Sequence, residues 1–382
     1  MQLSRISYHE FDNDPRRWIL LNLDLGAKNL LVGKNASGKT RTINVISGLS
    51  KILAGKVTPF ASGDYDCTFQ NNKSTLRYAI RFHDKTVAFE TLEIDGKTLL
   101  LRDKNGFGRI YSEHAKQEIP FQSPTSMVAA VARRDTIHHN FLELLYEWAL
   151  SVVHFEFSKS DGKDMLHMQI SNTKDNDESD LNTFIHIFKA GINEFGDRFK
   201  TPLIADLNEL GYDIDNIDTG KPITIQDIPI PGIPLALTVK ERSLDGCIDH
   251  LSMSQGMFRV LSLLINIHYF KNKNKTSCLL IDDIGEGLDF ERACTAIDIL
   301  RKRAEEGNAQ LIMSTNDRFV MNSVPLEEWS IIQRKGCVVS TKNYSNSKNA
   351  FEEFKYTGLS NFSFFEFDMV NASSTDENAP NE

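Results

Sequence analysis

Hydrophobic and polar positions divide the first part of the chain into strands and a helix. Residues 18–32, WILLNLDLGAKNLLV, contain two apolar runs around a turn, which predicts two strands. After a short loop, apolar residues recur at helical spacing over residues 43–53. Residues 74–103 are rich in strand formers, and Asp95 with Gly96 predicts a hairpin turn among them.

The rest of the chain changes from helical segments to an alternating pattern. Residues 137–153 and 181–211 predict amphipathic helices. Residues 221–234 contain too much proline for a central strand and predict a connector or an edge strand. From residue 235 to 340, short strands and helices alternate, which is typical of a parallel sheet. We therefore expect the front and the back of the chain to share one sheet.

The loop before the first predicted helix carries a phosphate-binding motif, GKNASGKT. It matches the G-x-x-x-x-G-K-[ST] spacing of a P-loop, in which glycines let backbone N–H groups surround a phosphate. The lysine of such a loop reaches the β and γ oxygens of ATP, and the final hydroxyl ligates Mg²⁺. We expect the whole loop to contact the nucleotide: Gly33, Lys34, Asn35, Ala36, Ser37, Gly38, Lys39 and Thr40.

A second motif is an apolar strand that ends in two carboxylates, TSCLLIDDIGEGLDF at residues 276–290. A buried strand would bring Asp282 to the Mg²⁺ shell and Asp283 next to the attacking water. The alternative is a buried strand that merely ends in acidic turn residues, and the P-loop upstream disfavours it. Asp289, in the Gly-Leu-Asp that follows, is a further nucleotide-binding candidate.

A third motif precedes an apolar helix in residues 251–270, LSMSQGMFRVLSLLINIHYF. Ser254, Gln255 and Gly256 form a Ser-x-Gly at its start, where backbone N–H groups and a hydroxyl can hold a second phosphate. Taken alone, an ordinary helix N-cap explains Ser254 better. The Gly-Leu-Asp after the two carboxylates shifts the balance towards phosphate binding.

Together, the P-loop, MSQGMFR, LLIDDIGEGLD and QLIMSTND (310–317) resemble the ABC-type ATPase head. The branch that they resemble contains RecF, SMC and OLD-like proteins. The stretches FETLEIDGKTLLLRD and FKYTGLSNFSFFEF also resemble stand-alone prokaryotic AAA-family ATPases of phage-defence operons. The specific motifs lie in residues 1–60 and 250–340.

The resemblance implies an ATPase that uses ATP and Mg²⁺ and dimerises around the nucleotide, so that the P-loop of one head faces Ser254–Gly256 of the other. The family's γ-phosphate histidine is replaced by Asn316, and its catalytic glutamate by Asp283. An asparagine cannot carry a charge or shuttle a proton, and aspartate is one methylene shorter than glutamate. Slow hydrolysis is one expectation from these changes. The other expectation is that Asp283 and Asn316 support ATP hydrolysis at an ordinary rate.

The predicted fold class is α/β: a P-loop NTPase with an ABC-ATPase-type head, a strand-rich N-terminal lobe and an inserted, largely helical subdomain. We expect an N-terminal part of the head, the inserted subdomain, a C-terminal part of the head, a C-terminal extension and a disordered acidic tail. Their ranges are 1–109, 110–234, 235–345, 346–370 and 371–382.

Composition limits the class of protein further. Hydrophobic residues make up 41% and charged residues 25%, which is typical of soluble chains. The five cysteines form no C-x-x-C pair, and no apolar run has transmembrane length. We expect a cytoplasmic protein with no membrane contact. A net charge of −9 argues against a surface that binds nucleic acid throughout, but is compatible with a local basic patch.

The leading functional hypothesis is a homodimer or higher homo-oligomer that controls a separate effector protein of nuclease or toxin type. Its expected setting is defence against phage or mobile DNA. The alternative is a RecF-like repair ATPase that clamps duplex DNA. Basic candidates for that alternative are Arg133 and Arg134, or Lys271, Lys273 and Lys275, although a solvated loop also explains the lysines.

Overall fold

The computed structural model describes residues 1–59, 61–156, 163–164, 166–169, 184–225 and 233–372. Contacts divide the chain into two units. Unit 1 comprises Met1–His154, Thr276–Asp282 and Gln310–Glu382, and unit 2 comprises Phe155–Lys275 and Asp283–Ala309.

The strands are numbered in chain order. They are β1 (Gln2–Glu10), β2 (Trp18–Asp24), β3 (Lys28–Val32), β4 (Ser62–Asn71), β5 (Ser74–His83), β6 (Thr86–Ile94), β7 (Lys97–Arg102), β8 (Phe107–Ser112), β9 (Gln117–Gln122), β10 (Val152–Glu156), β11 (His167–Gln169), β12 (Ile214–Gly220), β13 (Ile233–Glu241), β14 (Cys247–Asp249), β15 (Cys278–Asp282), β16 (Gln310–Thr315), β17 (Trp329–Lys335) and β18 (Val338–Asn343).

The helices are numbered in the same way. They are α1 (Lys39–Leu53), α2 (Ala129–Ala132), α3 (Phe141–Ser151), α4 (Phe184–Phe195), α5 (Asp197–Glu209), α6 (Gln255–Asn272), α7 (Phe290–Glu306), α8 (Arg318–Ser323), α9 (Lys348–Lys355), α10 (Asn361–Glu366) and α11 (Met369–Ala372). Among the described residues, no helix has both the length and the apolar character needed to cross a bilayer.

The large sheet combines a parallel and an antiparallel part. Its order is β10-β15-β16-β3-β17-β18-β2-β1-β4-β5-β6-β7-β8-β9. Strands β15, β16, β3 and β17 are parallel, and the neighbours from β2 to β9 are antiparallel. The strand before the P-loop therefore lies between two strands from beyond residue 309. This confirms the prediction that the front and the back of the chain share one sheet.

Burial explains why β3 occupies the middle of the parallel part. Leu30, Leu31 and Val32 are fully buried, as expected for a parallel strand that is covered on both faces. The buried amide of Gln310, at the start of β16, donates to the carbonyls of Leu3 and Gly26 at 2.6 and 2.9 Å. This polar side chain is thus satisfied while it joins three segments of unit 1.

The antiparallel part is a series of hairpins with a buried apolar side. The predicted turn between β6 and β7 is observed, with Asp95 and Gly96 at φ 50° and 78°. Two positive φ values are the signature of the type I′ turn that suits a two-residue hairpin. Apolar residues of this part form one cluster with those of α1 and α3. Within it, the rings of Phe69 and Trp148 meet edge to face at 4.8 Å.

Unit 2 is a helical group with a small sheet. Strand β13 pairs with β11, β12 and β14, and α4, α5 and α7 contact α6. Helix α6 is buried along almost its whole length, from Gly256 to Phe270. A helix that is buried on nearly all sides belongs in the middle of a helical group.

One buried charged cluster joins three of these helices. Asp206 of α5 is 1% exposed and accepts hydrogen bonds from His268 Nε2 of α6 at 2.7 Å and from Arg303 Nη2 of α7 at 2.6 Å. Burial alone would raise the pKa of Asp206, but the hydrogen bonds from His268 and Arg303 outweigh it and hold the pKa below its usual value.

The large sheet and unit 1 both extend beyond residue 109, where the predicted N-terminal part of the head ends. Strands β8 and β9 extend the large sheet to Gln122, and unit 1 continues to His154. The sequence signal is weak there because β9 alternates poorly and is largely exposed. The inserted subdomain 110–234 is therefore not confirmed, and the predicted divisions remain a proposal. Most of the predicted disordered tail, residues 373–382, lies outside the described residues.

Removing the Asp206 carboxylate should loosen the helices of unit 2. We expect Asp206→Ala to lower the free energy of opening of α5 and α6 by about 3–5 kcal/mol, since Arg303 and His268 lose their buried partner. Native-state hydrogen exchange of the backbone amides in α5 and α6 measures this opening free energy. The control is Asp213→Ala, which breaks an exposed pair with Arg242 and should cost less than about 1 kcal/mol.

The same comparison has a defined pH dependence. The pKa of Asp206 is lower in the folded chain than in the unfolded chain. The stability that the ionised carboxylate adds is therefore fully present above its unfolded pKa of about 3.9. It is lost as the pH falls through the folded pKa. The difference between wild type and Asp206→Ala should therefore shrink below about pH 4. A difference that stays constant into acid would contradict the ionised state of Asp206.

Candidate nucleotide site

The loop between β3 and α1 depends on its glycines. A Cβ on Gly33 would lie 2.5 Å from Ser37 Oγ and 2.7 Å from the carbonyl oxygen of Ile332. Gly38 has a φ of 108°, in the left-handed region that side chains rarely adopt. Among the predicted contact residues, Lys34, Asn35 and Ala36 form the exposed tip of the loop. Both framing glycines are thus required by the backbone path.

The loop also contains a buried hydroxyl that has no partner. Ser37 is 7% exposed, and within the described part of the chain its Oγ has no hydrogen-bond partner. Buried polar groups are normally satisfied. A phosphate held by the N–H groups at the start of α1 would supply an acceptor, so the residues of this loop fit ATP.

Lys39 and Asn316 are brought together, although 277 positions separate them. Lys39 is 6% exposed, and its Nζ donates to Asn316 Oδ1 at 2.5 Å and to the carbonyl oxygen of Gly33 at 2.8 Å. This contact follows from the parallel pairing of β3 with β16, since both strands end at the same edge of the sheet. With its Oδ1 engaged as an acceptor, Asn316 keeps the two N–H groups of its amide as donors.

Asp282 occupies the corresponding end of β15. It is 1% exposed, and its Oδ1 accepts a hydrogen bond from Ser314 Oγ on the neighbouring strand at 2.5 Å. Ser314 was not among the predicted residues. Its signal was a hydroxyl directly after the apolar residues Leu311–Met313 of a buried strand, but only the register of β15 with β16 shows its partner.

The donor set in unit 1 fits Mg²⁺ that is bound partly by phosphate oxygens. Thr40 is exposed on the first turn of α1, and Asp282 supplies a carboxylate. Among the described residues, no group of three or more His, Cys, Asp or Glu side chains could hold a metal ion by itself. Mg²⁺ commonly takes one or two protein ligands and completes its shell with phosphates and water.

The Ser-x-Gly motif belongs to unit 2, where Ser254 is the N-cap of α6. Its Oγ accepts from Met257 N at 3.2 Å, so the N-cap explanation holds, and the hydroxyl keeps its own proton for another acceptor. Gln255 is exposed beside it. A Cβ on Gly256 would lie 2.5 Å from the carbonyl oxygen of Gly287. Glycine is therefore needed here for close packing as well as for any phosphate contact.

The segment after the two carboxylates packs against this helix start. Asp283 has a left-handed φ of 54°, a conformation that aspartate tolerates better than most residues. Arg259 Nη1 donates to the carbonyl oxygen of Glu286 at 2.8 Å. Asp289 is the N-cap of α7 and accepts from Arg292 N at 3.0 Å. The hydrogen bond from that backbone N–H lowers the pKa of Asp289.

The basic residues that the sequence offers for DNA are largely neutralised. Three of them lie within ion-pair distance of a carboxylate: Arg134 of Glu143, Lys271 of Glu306 and Lys273 of Glu194. Arg133 donates to Ser123 Oγ at 3.2 Å and stacks on Phe121. Charges that are paired within the chain contribute little to phosphate binding.

Solved structures show the fold. An SMC head bound to the C-winged helix domain of ScpA is 12% identical to this chain, with 90% of this chain and 97% of the other covered and a TM-score of 0.51. The SMC head domain from Thermotoga maritima is 13% identical, with 90% and 99% covered and a TM-score of 0.46. An Smc head domain with an extended coiled coil, bound to the C-terminal domain of ScpA derived from Pyrococcus furiosus, is 11% identical, with 93% and 99% covered and a TM-score of 0.46.

The first of these neighbours supports the fold assignment. The chain has a P-loop NTPase-like α/β fold similar to that of this SMC head, which confirms the predicted fold class at that level. No protein-family model and no curated protein sequence matches the chain. Identities this low concern the fold alone, so the roles of the site residues remain proposals.

The backbone requirement at Gly33 can be tested directly. In Gly33→Ala, the new Cβ should push the loop away from Ile332 at a strain of about 1–3 kcal/mol, which corresponds to roughly 5–150-fold weaker nucleotide binding. Titration with a fluorescent ATP analogue measures the affinity. Gly26→Ala is the matched control, because its Cβ would meet only Asn29 Oδ1 at 3.9 Å. Equal affinities for the two variants would contradict the role of this loop.

Ser314 should control how well Asp282 holds a metal. Without the hydrogen bond from Ser314, the Asp282 carboxylate loses its orientation, and losing such a supporting contact typically costs about 10–100-fold in metal affinity. We expect Ser314→Ala to raise the Mg²⁺ concentration needed for tight nucleotide binding, while Mg²⁺-free binding stays unchanged. Ser314→Thr, which keeps the hydroxyl, is the control. A loss of Mg²⁺-free binding instead would indicate general damage to the sheet.

Proposed function

We propose that this chain is an ATPase that binds ATP and Mg²⁺ on its P-loop and dimerises around the nucleotide. The observation that supports this most is the contact of the buried Lys39 ammonium with Asn316, beside a P-loop whose buried Ser37 hydroxyl has no hydrogen-bond partner among the described residues. A P-loop next to the end of a second strand is the arrangement that phosphoryl-transfer sites of this class use.

Each predicted residue has a role in this proposal. Lys39 binds the β and γ phosphates, Thr40 and Asp282 hold Mg²⁺, and Asp283 orients the attacking water. The bound Mg²⁺ neutralises charge on the phosphate oxygens. Asn316 donates an amide N–H to the γ-phosphate, because its oxygen is already an acceptor for Lys39.

In the proposed dimer, unit 2 of one copy completes the site of the other. Ser254, Gln255 and Gly256 at the start of α6 face the partner's ATP, and Asp289 lies in the segment that packs on that helix start. ATP then belongs to the interface, so its binding favours the dimer and its hydrolysis releases it. Asn316 and Asp283 favour slow turnover, for which a kcat below about 10 s⁻¹ is the expected value.

We further propose that the dimer controls a separate effector in defence against phage or mobile DNA. The first structural neighbour is an SMC head that is bound to another protein's winged-helix domain, so a head of this fold can carry a partner. The resemblance to stand-alone ATPases of phage-defence operons suggests the setting. Plaque counts in cells that carry the native locus, with and without Lys39→Ala, test that setting.

DNA clamping has less support. Of its candidate basic residues, Arg134, Lys271 and Lys273 are paired with carboxylates. Strongly salt-dependent DNA affinity would reopen this alternative.

The decisive experiment is the molar mass of the purified chain with and without ATP·Mg²⁺, measured by light scattering. We expect the mass to double with ATP in wild type and to stay unchanged in Lys39→Ala, which lacks the phosphate-binding ammonium. Ser254→Ala tests the opposing surface: it should keep ATP binding but weaken the dimer. A wild-type chain that hydrolyses ATP as a monomer would refute the role of Ser254 and Gly256.

A further inference from the structure

The candidate site has fewer positive charges than the family pattern implies. Asn316 stands where the resemblance expects a histidine, and its amide cannot carry a charge. Transfer of a phosphoryl group develops negative charge on the terminal phosphate oxygens, and enzymes of this kind place cations there. A second cation near Lys39 would stabilise this negative charge, and the exposed residues next to Asn316 are candidates to supply it.

Four successive exposed residues follow β16: Asn316, Asp317, Arg318 and Phe319. Asp317 is the N-cap of α8 and accepts from Phe319 N at 2.7 Å and from Val320 N at 3.1 Å. Its carboxylate is thus engaged by the backbone. Arg318 is the first residue of α8 and the one cation in this stretch.

Within the described part of the chain, Arg318 has no carboxylate partner. Its guanidinium lies over the ring of Phe319, with Cζ 4.7 Å from the ring centroid. Several other arginines of unit 1 have a carboxylate partner, such as Arg5 with Asp24, Arg41 with Glu10 and Arg77 with Asp66. An exposed arginine stacked on an aromatic ring keeps its charge and its donors for an outside acceptor.

Arg318 also follows closely the residue that contacts the lysine of the phosphate-binding loop. It is two positions after Asn316, so the Cα atoms of these residues lie within about 7 Å of each other. Asn316 Oδ1 is itself 2.5 Å from Lys39 Nζ. A long, unpaired side chain that begins so close to this contact can extend towards a phosphate held by the P-loop.

We propose that Arg318 binds the terminal phosphate of ATP in its own chain and supplies the positive charge that Asn316 cannot. This inference rests on the proposed ATPase function and adds a catalytic residue to it. The planar guanidinium offers five donors in a fork that matches phosphate oxygens. It stabilises the transferring phosphoryl group in the manner of an arginine finger.

The test compares four variants of the full chain: Arg318→Ala, Arg318→Lys, Arg198→Ala and Lys39→Ala. Arg198 is the matched control, because within the described residues it is likewise exposed and without an ion-pair partner, but it lies on α5 of unit 2. Two measurements are made for each: a binding titration that gives the affinities for ADP and for a slowly hydrolysed ATP analogue, and kcat at saturating ATP.

We expect Arg318→Ala to leave ADP affinity unchanged, to abolish the preference for the ATP analogue over ADP, and to lower kcat by about 10²-fold or more. Arg318→Lys should recover part of the preference but little of kcat, since an ammonium lacks the fork. Arg198→Ala should match wild type in both quantities. Selective loss for nucleotides that carry a γ-phosphate is a result that a merely structural role of Arg318 would not give.

The outcomes separate this inference from the proposed function. If wild type binds and hydrolyses ATP while Arg318→Ala matches it in both measurements, the inference is wrong and the proposed function stands. A parallel loss of ADP and ATP-analogue affinity in Arg318→Ala would also overturn it, since Arg318 would then support the loop and not the terminal phosphate. If wild type and Lys39→Ala are equally inactive, the proposed ATPase function itself has failed.

Discussion

Burial of the Lys39 ammonium is the constraint on which the rest of unit 1 depends. A buried charge is costly unless acceptors surround it, and Lys39 finds them on the backbone of its own loop and on Asn316. The second acceptor exists only because β3 and β16 are parallel neighbours. The pairing of β3 with β16 therefore also provides an acceptor for the buried Lys39 ammonium. If that pairing is lost, the loop loses a contact that keeps its shape.

In unit 2, close packing at two glycines and a buried charged cluster hold α6 and α7 together. Gly256 at the start of α6 and Gly287 just before α7 have no side chains, so the start of α6 can pack closely against the segment that precedes α7. Towards the ends of the same helices, the Asp206 carboxylate receives His268 and Arg303. Contacts at matching ends mean that the two helices run in the same direction. Two N-caps, Ser254 and Asp289, are thus held at neighbouring ends of one rigid pair.

Sequence reasoning predicted the parts of the structure that are encoded in local spacing. The P-loop, the paired carboxylates at the end of β15 and the hairpin at Asp95 follow from short patterns whose chemistry is local. The length of the antiparallel part was underestimated, because β9 is exposed and alternates poorly. The partners of Ser314 and Asp206 were not predictable, since each lies on another element and only the register of strands or the packing of helices decides it.

The position of β3 also has a consequence for how the chain is made. The Asn29 side chain bonds to the carbonyl of Leu311, 282 positions later, and both strands that flank β3 come from beyond residue 309. At about 5–20 residues per second, a ribosome needs roughly 15 to 60 seconds to deliver those neighbours. During that interval both hydrogen-bonding edges of β3 have no partner strand, and an unpaired strand edge can pair with another chain. The emerging N-terminal half therefore has to be kept from wrong pairing until the C-terminal strands are made.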